Sequence, residues 1–192
     1  MADVRLEPYG ELDDTGRKRL LDIYIESFPE EERLDFEDIL VRSDTMDCGT
    51  RLYGITDAGD GRVVGMTYTV VNEELMPGQV YVFFLAIGSD VRGSGYGSAA
   101  LDAIAEAYPG LGLCLDIETV TEMDGNVDVD DQANRLRRLH FYEENGFSMT
   151  GKVTETDYIS YDLLYRGDGT LDEAGLKNTF DWLEQEIEGL HI

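Results

Sequence analysis

The chain has 192 residues, and its 41 acidic against 15 basic side chains give a formal net charge of −26. That balance excludes general nucleic-acid binding, which needs basic surface to neutralise phosphates. No apolar run approaches the roughly 20 residues of a membrane span, and Met1 to Arg5 lacks the basic and apolar regions of a secretory signal. A hydrophobic content of 42% and 11 tyrosines argue for a folded globule, and the length suits one domain with a single core. The two cysteines, Cys48 and Cys114, sit in no metal-ligand spacing and fit a reducing cytoplasm as small buried hydrophobes. The acidity itself has three readings: a solvated surface, adaptation to a high-salt cytoplasm, or a field that attracts cationic substrates.

In chain order, Val4-Arg5-Leu6 starts a first strand. Asp13 or Asp14 caps a helix reaching Phe28, with Leu20, Leu21, Tyr24, Ile25 and Phe28 at helical spacing. Pro29 ends it, and Glu30 to Val41 reads as a second short helix. Arg51 to Thr56 and Val63 to Asn72 form a hairpin around Asp57-Ala58-Gly59-Asp60-Gly61. Glu73 to Gly78 connects to Val80 to Ile87, apolar on both faces like a central, doubly covered strand. A helix from Ser98 to Tyr108 stops at Pro109-Gly110. Leu111 to Thr119 is a strand with Leu113, Leu115 and Ile117 on one side and Cys114, Asp116 and Glu118 on the other. An acidic loop, Thr121 to Asp131, leads to a helix from Asp131 to Asn145 that Gly146 terminates. Phe147 to Val153 and Tyr158 to Tyr165 make a closing hairpin, and Leu171 to Leu190 an amphipathic helix carrying Leu176, Phe180, Leu183 and Ile187.

Two stretches carry chemistry. Arg92-Gly93-Ser94-Gly95-Tyr96-Gly97 lies between a strand and a helix, where successive backbone N–H groups and the helix dipole form a cradle for phosphate. A dinucleotide-binding turn would need glycine where Ser98 stands, and would open a βαβ unit instead of following antiparallel strands. A P-loop would need a lysine that the turn lacks. The second stretch, Asn134 to Phe147, puts Asn134 and Tyr142 eight residues apart on one helix, about 12 Å along its axis. That separation suits two contacts on a long ligand. In the acidic loop, Asp124-Gly125-Asn126-Val127-Asp128 superficially suggests a calcium loop, but Val129 and Arg135 occupy the positions where an EF-hand needs glycine and glutamate. No metal is expected.

Together the two stretches resemble the GNAT superfamily of acyl-CoA-dependent N-acyltransferases. Its first motif, Arg/Gln-x-x-Gly-x-Gly/Ala, is met by Arg92, Gly95 and Gly97. Its second, Asn before a helix ending in Tyr-x-x-x-Gly-Phe, is met by Asn134, Tyr142, Gly146 and Phe147. The order of elements fits over roughly Val4 to Tyr165, and Phe28-Pro29-Glu30-Glu31-Glu32-Arg33 resembles a segment in a group of bacterial members. The acidic loop departs from the family's usual short path to the Asn.

The resemblance implies an α+β fold, a mixed but mainly antiparallel central sheet of about six to seven strands flanked by helices. Residues 1–166 would form the acetyltransferase domain. Residues 167–192 would add a helix packed on the same domain or on a second subunit, as in a homodimer. The implied reaction is acetyl transfer from acetyl-CoA to a primary amine by direct attack; an acyl-CoA-binding sensor without turnover is the alternative. Cofactor contacts implied are Arg92, Gly93, Ser94, Gly95, Tyr96, Gly97 and Ser98 for the pyrophosphate, Leu85, Ala86 and Ile87 for the pantetheine arm, and Asn134 and Tyr142 from the later helix. Tyr142 would donate to the departing thiolate. Glu118 is the first candidate for general base, with Glu30, Glu31, Glu32 and Asp116 as alternatives. Because CoA is anionic, Arg92 together with some of Arg135, Arg137 and Arg138 is expected to offset the global charge. The acceptor site is expected among Phe28 to Arg33, the acidic loop and the closing hairpin, whose carboxylates favour a cationic amine.

Overall fold

The computed structural model describes residues 2–44, 49–120, 129–155, 160–169 and 171–190. In chain order these form β1 (Val4–Pro8), α1 (Asp14–Ser27), α2 (Phe36–Asp44), β2 (Thr50–Asp57), β3 (Val63–Val70), β4 (Gln79–Ile87), α3 (Tyr96–Ala107), β5 (Gly112–Glu118), α4 (Val129–Glu144), β6 (Ser148–Glu155), β7 (Ser160–Arg166) and α5 (Glu173–Leu190). The fold is therefore mixed α+β, with the order of elements anticipated from the motifs. Cys48 and most of the acidic loop, including its calcium-like segment, lie outside the described residues.

The chain divides into two compact units. The first comprises Met1–Leu111 with Asp172–Ile192. Its strands β1 to β4 pair in sequence order, each antiparallel to the next. The turn joining β2 to β3 is held by Asp57, whose Oδ1 accepts from the N–H groups of Gly59 (2.8 Å) and Asp60 (3.2 Å). β3 is buried along its whole length. β4 is buried only from Gln79 to Val82 and alternates from Phe83 onward, so its far end is less covered than a doubly packed strand. α1 begins where Asp13 accepts from the Gly16 N–H (2.7 Å), a side-chain cap for a donor the helix cannot satisfy. Its buried face is Leu20, Ile23 and Tyr24, while Ile25 stands 50% exposed. Leu20 and Tyr24 of the expected stripe are therefore buried, and Ile23 takes the place expected of Ile25, because i, i+3 and i+4 from Leu20 select Ile23 and Tyr24.

The second helix starts later than the composition suggested. Glu30–Glu32 is a single 3₁₀ turn and Arg33 is extended. Asp35 then accepts from the Glu37 N–H (2.8 Å) and caps α2. Three consecutive glutamates after Pro29 offer no apolar face to bury, so the helix waits for Phe36. In the same unit Phe180 of α5 packs edge-on against Tyr81 and Phe83 of β4, with ring centroids at 4.8 and 6.3 Å.

The second unit is Gly112–Leu171. β7 pairs antiparallel with both β5 and β6. Leu113, Leu115 and Ile117 are all buried, as is Cys114, whose thiol burial pushes up to about 12. That makes it an inert hydrophobe. α4 buries Leu139 and Tyr142 and ends at Gly146, whose φ of 84° lets the Phe147 N–H return to the Tyr142 carbonyl (3.0 Å).

Candidate active site

In the first unit, the candidate residues follow β4. Ala86 is buried and the flanking Leu85 and Ile87 are half-buried, with backbones registered against Thr67, Met66 and Gly65 of β3. Beyond Ile87 the chain folds back on itself. The Val91 N–H reaches the Gly88 carbonyl (3.0 Å), and Arg92 Nε donates to the Ile87 carbonyl (3.0 Å). Arg19 of α1 pairs with Asp90 and braces this turn from the side.

Gly93 and Gly95 take φ values of 77° and 87°, left-handed conformations that a side chain would strain. A Cβ at Gly93 would meet nothing within 4 Å, and one at Gly95 only Ala2 at 3.8 Å. The space beside both glycines is therefore open. Gly95 caps α3 without any side-chain hydrogen bond, and its carbonyl accepts from Ala99 (3.2 Å). The N–H groups of Tyr96, Gly97 and Ser98 have no intrahelical acceptor at such an end, where the helix dipole is positive. The helix opens at Tyr96, two residues before Ser98, because glycine in αL ends the turn there. An oxyanion of pyrophosphate size suits this arrangement. Of the expected contacts here, Tyr96 turns its side chain away. Its hydroxyl donates to Asp57 Oδ2, which raises the Tyr96 phenol and lowers the Asp57 carboxyl. Only the Tyr96 backbone is left to face an anion.

In the second unit, the candidate residues lie on β5 and α4. Glu118 is held by two guanidinium groups: Arg135 Nη2 stands 3.3 Å from Oε1 and Arg138 Nη1 3.1 Å from Oε2. Arg135 also donates to the Thr119 carbonyl (3.1 Å). Both oxygens of the first-choice base are thus engaged. Two of the arginines expected to face the cofactor pair with this acid, a partnership that spacing alone does not reveal. Asn134 is exposed, and its Oδ1 accepts from Arg137 (3.1 Å). Asp116, two residues before Glu118 on the same strand face, is half-buried. Desolvation lifts its carboxyl to about 7, against a smaller opposing pull from its own backbone N–H. Of the other base candidates, Glu30 is exposed and Glu32 half-buried, and the Glu31 side chain lies outside what the structure describes.

Tyr142 is buried beside Phe141 and Phe147, with ring centroids at 5.1 and 5.5 Å. Burial pushes its phenol up to about 12, opposed only by the charge of Arg138 one turn earlier. Among the described residues its hydroxyl has no hydrogen-bond partner. The group stays protonated at any physiological pH and has a proton to share.

Residues 17–147 match the model of the acetyltransferase (GNAT) family, and the chain belongs to that family. No curated protein matches the sequence. Among solved structures, a Bacillus subtilis acetyltransferase in complex with CoA has a TM-score of 0.54 and 17% identity, over 86% of this chain and 99% of that one. An acyl-CoA N-acyltransferase from Pseudomonas aeruginosa has a TM-score of 0.55 at 16% identity, over 87% and 100%. An aminoglycoside 6'-N-acetyltransferase complexed with coenzyme A has a TM-score of 0.61 at 14% identity, over 84% and 95%. At these identities the likeness is one of fold. Membership of the family makes acyl transfer the general chemistry of this chain.

Proposed function

We propose that the protein transfers the acetyl group of acetyl-CoA to a primary amine by direct attack, without an acyl-enzyme. The observation that carries this reading is the open, glycine-lined turn at the start of α3, with no side-chain cap on the helix and with Arg92 beside it. Two of the similar structures are CoA complexes, which supports the same cosubstrate here. The amides of Gly93 to Ser98 and the Arg92 guanidinium hold the pyrophosphate. The backbone of Leu85 to Ile87 aligns the pantetheine arm.

A primary ammonium has an ordinary pKa near 10.4 and must lose a proton before it can attack. Asp116 accepts that proton, because a base poised near neutrality is both ionised and basic enough to act. Glu118 then has a different task, fixing Arg138 and hence the α4 turn that carries Tyr142. The neutral amine attacks the thioester carbonyl carbon, the C–N bond forms and the C–S bond breaks, and the nitrogen gives its second proton to solvent. Tyr142 donates a hydrogen bond to the leaving thiolate. Full transfer from a phenol near 12 to a thiol of ordinary pKa near 8.5 would be uphill by roughly a thousandfold. Its role is therefore stabilisation of the thiolate, which takes its proton afterwards from solvent. The acidic exterior draws an acceptor that carries positive charge.

Incubation with acetyl-CoA and a panel of amines, read by thiol release, tests the proposal. Turnover is expected, and Tyr142→Phe should lower it by about a hundredfold while CoA still raises the melting temperature. Stabilisation by CoA with no turnover on any amine would make the protein a sensor of the cofactor and not an enzyme.

A further inference from the structure

The connection from α1 to α2 holds two buried polar atoms without a hydrogen-bond partner, Ser27 Oγ and Arg33 Nε. Serine and threonine inside a helix ordinarily donate to the carbonyl four residues back. Ser43 does so to Ile39 (2.7 Å) and Thr179 to Gly175 (2.9 Å); Ser27 does not. Arg33 is the more unusual of the two. Lys18, Arg19, Arg62, Arg135, Arg138 and Lys177 each pair with a carboxylate. No carboxylate among the described residues pairs with Arg33, in a chain of 41 acids. Its charge is felt by the Tyr24 phenol, and a desolvated guanidinium N–H with no acceptor is costly unless something else supplies one.

The surroundings say where that acceptor comes from. Phe28 packs on Phe84 at 4.6 Å, and Tyr24 on Phe28 and on Phe84 at 5.6 and 5.3 Å. These rings tie the connection to β4 at the residue directly before Leu85 to Ile87. On the N-acyltransfer reading, an amine attacking a thioester aligned on Leu85 to Ile87 would lie beside this segment.

We infer that Arg33 binds a carboxylate of the acceptor, so the acceptor is an amine that also carries a carboxylate: a free amino acid or the end of a peptide. The inference rests on the N-acyltransfer reading above. One planar guanidinium matches one carboxylate in a paired geometry. A second ammonium would instead meet Arg33 as a like charge. A zwitterion also reconciles the two fields, since the anionic exterior attracts its ammonium and a single local cation reads its acid.

Matched acceptors that differ only in the carboxylate test this: lysine against cadaverine, phenylalanine against phenethylamine, glycine against methylamine. The wild-type kcat/KM is expected to favour each carboxylated member by about a hundredfold or more. Arg33→Met should erase that ratio mainly through KM, leaving stabilisation by CoA intact, and Arg33→Lys should restore part of it. Equal or better turnover of the decarboxylated amines, or a ratio unchanged in Arg33→Met, overturns the inference but leaves acyl transfer standing. Inertness of every amine while CoA binds removes both readings together.

Discussion

Asp116 and Glu118 leave β5 on the same side, yet their surroundings differ sharply. Glu118 meets two guanidinium groups at 3.3 and 3.1 Å, whereas Asp116 is raised to about 7 by loss of solvent. A base with that value is protonated and idle in acid. With one amine held fixed, kcat/KM should fall as pH drops below about 7, and Asp116→Asn should remove that limb along with most of the activity. An identical profile in the variant would show that Asp116 takes no proton. The same shift has a sign for stability. Unfolded, the carboxyl titrates near 3.9, so between about pH 4 and 7 the folded protein binds more protons and its stability falls as pH rises. Asp116→Asn should therefore raise the melting temperature at about pH 8 while costing activity, readable by thermal unfolding.

At the level of elements, the join between β5 and α4 is an acid with two bases on consecutive turns of one helix. If Glu118 serves as an anchor, Glu118→Gln and Arg138→Met should lower kcat by similar amounts, on the order of tenfold each, with acetyl-CoA affinity unchanged. If Glu118 were the base, the first would abolish turnover and the second would spare it. Steady-state kinetics of the two variants distinguishes these cases. Much of this architecture was legible in the sequence, because glycine at positive φ, an Asp cap and period-two or period-3.6 apolar patterns are local devices. Gly146 as the stop of α4 and Asp13 as the cap of α1 are examples. The start of α2 was misread because charge content says little about a helix with no apolar face until Phe36. The partners of Arg135 and Arg138 were illegible for a different reason. Ion pairing depends on which strand lies under a helix face, a tertiary fact that spacing along α4 does not contain. Arg33 belongs with them, since its lack of a carboxylate partner among the described residues is likewise a tertiary fact.

Across the whole molecule, a net charge of −26 opposes the anionic ligand proposed for the cradle at α3. Arg92 donates to a carbonyl and pairs with no carboxylate among the described residues, and the α3 amides add only partial charges. Local attraction acts over a few ångströms, while the repulsion is long-ranged and is screened first as salt rises. Most anion sites weaken in salt; this one should tighten. Calorimetric titration of acetyl-CoA into the wild type and into Arg92→Gln/Gly95→Ala tests the claim most directly. It would be run at about 0.1 M and about 1 M KCl, where the screening length falls from roughly 10 to roughly 3 Å. The account predicts tighter wild-type binding at the higher salt and binding at least tenfold weaker in the variant at both. No heat of binding by the wild type at either salt, or equal affinity in the variant, would contradict it.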